Sequence, residues 1–168
     1  MTLQELFPLK NAYSIIRHGQ SQANVEGVVV SHPENGVEGY GLTPKGREQV
    51  QGSVEQALKD GTLNARVRIM SSDFLRARQT AEIAQAILGT SSLSFDTRLR
   101  ERFFGRYEKS KGEIYDLVWE RDRKQLDHQE TRVEDVEALF DRLLRLLSET
   151  ERAFENEHIL FVSHGDTL

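Results

Sequence analysis

The sequence predicts an α/β fold. Short apolar runs alternate with stretches of helical periodicity along the chain. The first and last of those runs each stop abruptly at a His-Gly pair, 146 positions apart (164 − 18). No internal repeat or low-complexity linker interrupts the alternation, so residues 1–168 read as a single domain, long enough to bury a core of its own.

Ala12 to Ile16 (AYSII) is a buried strand followed by a turn at Arg17-His18-Gly19. Ser31 to Gly41, rich in Gly, Pro, Asn and Glu, reads as a loop. Thr43-Pro44 opens a helix, with Thr as N-cap and Pro at the first helical position. Val50, Val54, Ala57 and Leu58 give it an apolar face, and it ends near Asp60-Gly61. Val67 to Met70 is a second strand, after which Ser72 or Asp73 caps a helix that Gly89 stops. Leu93 to Phe95 reads as a short third strand, Leu99 to Tyr107 as a loop, and Ile114 to Arg121 as helical. Thr131 and Glu134 fit a capping box, and the helix they open carries a wide stripe from Val133 to Leu147. His158 to Val162 is the final strand, running into Ser163-His164-Gly165.

Composition narrows the function classes. The chain is 38% hydrophobic and 29% charged, in keeping with a soluble folded domain. A net charge of −5 argues against nucleic acid as the main partner, while leaving room for a local basic pocket. With no cysteine there is no disulfide, thiolate nucleophile or zinc-thiolate site, and a reducing cytoplasm suits the chain. Met1 to Lys10 has no apolar run of signal-peptide type, and no stretch approaches the roughly 20 apolar residues needed to span a bilayer. A metal module is not expected, because His18, His32, His128, His158 and His164 show none of the usual ligand spacings. A P-loop nucleotide site is absent as a motif.

Ligands of open α/β sheets bind beyond the carboxyl ends of the strands, which nominates Arg17-His18-Gly19, Ser71-Ser72 and Ser163-His164-Gly165. An imidazole there is neutral and nucleophilic near pH 7, and neighbouring cations strengthen that preference. Arg17 and Arg76 would supply the cations and clamp phosphate oxygens in fork geometry. Gly19 would let the backbone come close to a ligand.

Five segments carry a family resemblance. Arg17-His18-Gly19-Gln20-Ser21-Gln22-Ala23-Asn24 resembles the R-H-G-E-S-x-x-N signature of the phosphoglycerate mutase and histidine phosphatase superfamily. Leu42 to Gln49 resembles its L-T-x-x-G-x-x-Q, and Ser71 to Ala81 its S-S-x-L-x-R-A-x-Q-T-A. Leu99 to Gly105 resembles L-x-E-x-x-x-G, and Val162 to Gly165 the late V-S/T-H-G. The resemblance implies a three-layer α/β/α sandwich with a mostly parallel central sheet, phosphoglycerate mutase-like. It implies His18 as a nucleophile forming a phosphohistidine, Glu101 as proton donor, and Arg17, Arg76, His164 and Asn24 around the phosphate. Gln20, Ser21, Phe104 and Gly165 are candidates for the substrate side, and His164 is expected to act as a cation. Two Arg and a His⁺ could neutralise a phosphoryl group with no metal or other cofactor. The bland alternative for Glu101 is an ion pair with Arg100 or Arg102.

The departures are few. Gln20 stands where the family often has Glu. Asp166 adds a carboxylate that would repel an anionic substrate unless it points away. The chain ends four residues after His164, where relatives continue with a helix packed on the sheet, so an exposed sheet face with low stability or self-association is expected. Asn24 to Gly41 and Tyr107 to Gln129 leave little room for the insertions of dedicated mutases. A phosphatase acting on a small phosphorylated metabolite or a phosphoprotein is therefore expected ahead of a mutase or an idle phospho-ligand binder.

Overall fold

The computed structural model describes residues 8–167; the reading of the extreme N-terminus as free of a signal-type run, and the chain end at Leu168, lie outside the described residues. The elements run β1 (Ala12–Arg17), α1 (Gln22–Glu26), α2 (Pro33–Gly36), α3 (Pro44–Lys59), β2 (Arg68–Ser71), α4 (Leu75–Leu88), β3 (Leu93–Phe95), α5 (Ile114–Arg123), α6 (Val136–Ala153) and β4 (His158–Ser163). The sheet order is β1-β4-β2-β3, and each neighbouring pair is parallel. Leu160, Val162 and Ile69 bury one face against Val50 and Val54 of α3 and Ala77, Ala81 and Ala84 of α4. On the opposite face α6 brings Leu143, Leu146 and Leu147 over Tyr13, Ile15 and Phe161, completing three layers. The cover there is partial: Ile15 stays 59% exposed beside a groove of about 300 Å³. Among the described residues no helix is long and apolar enough to cross a membrane.

Several starts and stops follow from local chemistry. Thr43 Oγ1 accepts the Gly46 amide and Pro44 fixes the first turn, as predicted for α3. Gly89 ends α4 at φ 68°, where a side chain would be strained. The capping box at Thr131 and Glu134 does not form. The helix begins after Asp135, and the Glu134 carboxylate instead takes Arg142 Nε at 2.7 Å, a charge-assisted bond stronger than a cap. Asp73 is not a cap either, since Arg100 holds it bidentately at 2.7 and 2.6 Å. Ser72 Oγ accepts the Phe74 amide just ahead of α4. Within the predicted 31–41 loop, His32 and Pro33 start the single turn α2.

Candidate active site

The register of the sheet assembles the site. Arg17 of β1 pairs with Ser163 of β4, so His18 and His164, one residue further on, emerge side by side with ring centroids 5.2 Å apart. Ser71 of β2 pairs with Val162, which brings Ser72 Oγ to 2.9 Å from His164 Nε2. Arg76, in the first turn of α4, lies behind both rings, with Nε 3.0 Å from His18 Nε2 and Nη2 donating to the Val30 carbonyl at 3.0 Å. Gly19 has a different task from the one expected. A Cβ there would collide with the Gly46 carbonyl, and one on Gly46 with the Gln20 backbone, so the glycine pair seats α3 against the turn after His18.

Hydrogen bonding fixes the rings. His18 Nδ1 sits 2.7 Å from the Gly19 carbonyl and must carry the proton, leaving the Nε2 lone pair to accept from Arg76. Burial, then the Arg76 and Arg17 charges, push the His18 pKa down to about 3. Ser72 Oγ accepts the Phe74 amide and keeps both a proton and a second lone pair, so it pairs with His164 Nε2 in either tautomer of that ring. His164 Nδ1 is buried and has no partner among the described residues. His164 is wholly buried and held well below the usual imidazole range, chiefly by burial and next by Arg76. The expectation of a cationic His164 is therefore corrected: it offers a neutral N–H. Arg76 is 3% exposed, and its Nη1 is likewise buried without a partner.

Glu101 makes no ion pair with Arg100, which is held by Asp73, or with Arg102, which binds Asp122 at 2.6 Å. Its Oε1 accepts the Arg102 amide at 3.0 Å and the Thr167 hydroxyl at 3.3 Å. Burial raises its pKa, Arg76 opposes this, and the Asp166 carboxylate adds to it. Glu101 faces a cleft of about 360 Å³ shared with Arg17, Asn24, Tyr115, Trp119 and Gly165. Gly165 lets the Arg17 guanidinium lie flat on the backbone, since a Cβ would meet its Nε at 3.3 Å.

Other candidates stand further off. Ser21 is buried as the N-cap of α1 and spends its side chain on Asn24, whose Oδ1 accepts both the Ser21 amide and hydroxyl at 2.9 Å. The Asn24 NH₂ is left on the cleft side. Gln20 turns away to accept from Thr43 Oγ1 at 2.9 Å, so its place on the substrate side is corrected. Phe104 is fully buried and packs edge-to-face on Tyr115 at 4.9 Å, supporting the wall without lining it. The lining aromatics are Tyr115 and Trp119, one helical turn apart on α5; sequence reasoning missed them, and their i, i+4 spacing is the one signal that could have paired them. Asp166 also faces this cleft. Its Oδ1 accepts the Trp119 indole N–H at 2.7 Å and its Oδ2 lies 3.6 Å from Arg102 Nη1. The remaining histidines are elsewhere, His32 capping α2, His128 on Asp122 and His158 on Ser14.

Comparison with known proteins supplies relatives for this geometry. A model of the histidine phosphatase superfamily (branch 1) matches residues 13–168. The chain is 28% identical over 160 residues to Phosphoglycerate mutase-like protein 4 of Arabidopsis thaliana, covering 92% of this chain and 66% of that protein. It is 28% identical to Uncharacterized phosphatase PhoE of Bacillus subtilis (strain 168), covering 94% of this chain and 73% of that one. It thus spans about two thirds to three quarters of these relatives' length. The crystal structure of the alpha-ribazole phosphatase from Shigella flexneri superposes with a TM-score of 0.68 at 25% identity, over 90% of this chain and 73% of that one.

Proposed function

The chain belongs to the histidine phosphatase superfamily, branch 1, and on that premise we propose that it is a metal-independent phosphatase that hydrolyses a small phosphate monoester through a phosphohistidine on His18. One observation carries the reading: among the described residues a buried guanidinium, with no carboxylate bonded to it, keeps its Nη1 without a partner beside the lone pair of a neutral histidine. A buried, unpaired charge is costly, and a phosphate dianion is the ligand that would compensate it. The exposed Arg17 guanidinium would donate to the same group, as would His164 Nδ1 in the tautomer that accepts from Ser72 and carries its proton there. His18 Nε2 attacks phosphorus, the ester P–O bond breaks, and the Glu101 carboxylic acid passes its proton to the leaving oxygen. Water then attacks phosphorus, Glu101 takes a proton from it, and the N–P bond breaks to release phosphate and restore both groups. Three donors fixed around the transferring phosphoryl supply the charge neutralisation such a reaction requires.

The cleft favours hydrolysis over mutase chemistry. Asn24 and Gly27 on its rim are exposed, so water has access to a phosphohistidine, whereas a mutase must shield one. The compartment we propose is the reducing cytoplasm, which suits a chain without cysteine. Hydrolysis of p-nitrophenyl phosphate with and without EDTA, by wild type and His18→Ala, tests the reading. The expected result is EDTA-resistant turnover, lost by several orders of magnitude in the variant, and an acid-labile, base-stable phosphoenzyme in the wild type only. Near-normal turnover by His18→Ala overturns the nucleophile, and loss of activity in EDTA overturns the metal-free reaction.

A further inference from the structure

We propose that the leaving-group end of the cleft is built for a flat, uncharged ring, so that the substrate class is the phosphate monoesters of aromatic or heteroaromatic moieties; this rests on phosphate lying at His18 and Arg76. The cleft, about 360 Å³, lies within the roughly 300–1,000 Å³ typical of small-molecule sites. Beyond Arg17 and Glu101 its larger apolar walls are Val28, Tyr115 and Trp119, with Asn24 and Asp166 as the remaining polar side chains. The two aromatic rings lie 5.7 Å apart at 38° and present adjoining faces. Trp119 is 41% exposed although its one polar atom is satisfied by Asp166. What remains exposed is the apolar surface of the ring, whose orientation that bond helps to fix. Tyr115 is fixed from behind by the buried Phe104. Aromatic faces pre-positioned at a cleft wall favour stacking with a planar group over contact with a flexible polyol, because little side-chain freedom remains to be lost.

Charge points the same way. Among the described residues Arg17 is the one cation lining the cleft, and the phosphate claims it. Asp166 is the charged group of the far wall, and Arg102, paired with it at 3.6 Å, is already bound bidentately by Asp122 at 2.6 and 2.9 Å. A second anionic group on the substrate would find a carboxylate there and, among the described residues, no free cation. The sequence contains a single tryptophan, so intrinsic fluorescence reports on this wall alone.

Titration of the full chain with phenylphosphonate, methylphosphonate and phosphonoacetate, followed calorimetrically and by Trp119 emission, tests the assignment. Phenylphosphonate is expected to bind about ten-fold tighter than methylphosphonate, the size of effect an aromatic pair supplies, and to change the emission. Phosphonoacetate is expected to bind no tighter than methylphosphonate. Trp119→Phe keeps a ring and Trp119→Leu does not, while both lose the bond to Asp166. The phenyl preference should survive in the first and fall to near unity in the second, with methylphosphonate affinity retained in both as the check on folding. A phenyl-to-methyl ratio near one in the wild type, or equal ratios in the two variants, overturns the ring subsite and leaves the phosphatase reading standing. Failure of methylphosphonate to bind the wild type overturns the phosphate pocket itself, and the subsite with it.

Discussion

The phosphate end and the leaving-group end of the cleft are made of different material. His18, Ser72 and His164 leave the tips of three parallel strands joined in the order β1-β4-β2, and backbone register sets their spacing before any side chain packs. Tyr115 and Trp119 ride on α5, ten residues long, anchored by side-chain bonds: Trp119 to Asp166, and Asp122 to Arg102. Ladder hydrogen bonds resist change at any one position, whereas a helix held by side-chain contacts, these bonds and the small apolar cluster of Val118, Phe104 and Tyr115, is more easily re-aimed by a single substitution. If the proposed reading holds, the reaction belongs to the sheet and the choice of substrate to α5, and lesions at the two ends should differ in kind.

The sharpest break comes from Arg76. It bonds His18, holds the Val30 carbonyl and keeps Nη1 open, three tasks for one planar fork. Arg76→Ala should lower kcat/KM by about 10²–10³, the usual cost of a lost transition-state donor. The loss should be the same for aryl and alkyl phosphates, because Arg76 serves the transferring group and not the leaving group. Arg76→Lys should recover little, since one ammonium cannot span those partners. A loss that scales with the leaving group, measured across a series of esters, would join the two ends into one unit.

The same division explains what was legible in the sequence. A strand that ends in His-Gly declares its end, and two such junctions in an alternating chain place His18 and His164 at one edge of a parallel sheet. Arg76 was legible from its place at the start of the helix after the second strand, Glu101 through the family motif around it, and only folding showed that Glu101 avoids both flanking arginines, because Asp73 and Asp122 had claimed them from a distance. Those partners are 27 and 20 positions away, beyond what local pattern can carry. The Thr131–Glu134 box failed for the same reason: Arg142 offered Glu134 a stronger partner than the helix end did. Gln20 and Phe104 were drawn toward the substrate by proximity in sequence to His18 and Glu101, but Thr43 took one and the core the other. Tyr115 and Trp119 sit on a helix of mixed charge whose apolar face is too narrow to announce what it covers.

A smaller effect links the phosphate end to folding. His18 carries a pKa of about 3 in the folded chain against an ordinary 6.5. Its folded value is depressed, so the unfolded chain takes the proton first. The contribution to stability is whole above pH 6.5 and is lost as pH falls toward the folded value. Between pH 6.5 and 5 this amounts to about 2 kcal/mol, at roughly 1.4 kcal/mol per pH unit. His164 acts in the same direction, while Glu101, whose folded pKa is raised, acts in the other. The comparison of wild type with His18→Gln by urea unfolding at each pH isolates the His18 share, and the variant should show the shallower acid loss. Trp119→Phe, at the other end, should keep the wild-type slope. Equal slopes in wild type and His18→Gln would mean that His18 is not held neutral by the fold.

The smallest effect tests the single contact between the two ends. Asp166 bonds Trp119, yet its charge also helps keep the proton on Glu101, after burial and against Arg76. Glu101 must hold that proton to serve the leaving oxygen, so the alkaline limb of kcat/KM marks its loss. Asp166→Asn retains an oxygen for the indole N–H and removes the charge. The Glu101 carboxylate becomes easier to form, and the limb should move to lower pH. The preference for phenylphosphonate over methylphosphonate should be kept, because the ring is still held. Asp166→Ala releases the ring as well, and should move the limb and erode that preference together. A limb that stays in place in Asp166→Asn, with the preference intact, would reduce Asp166 to a latch for Trp119 and leave the acid independent of the wall that selects its substrate.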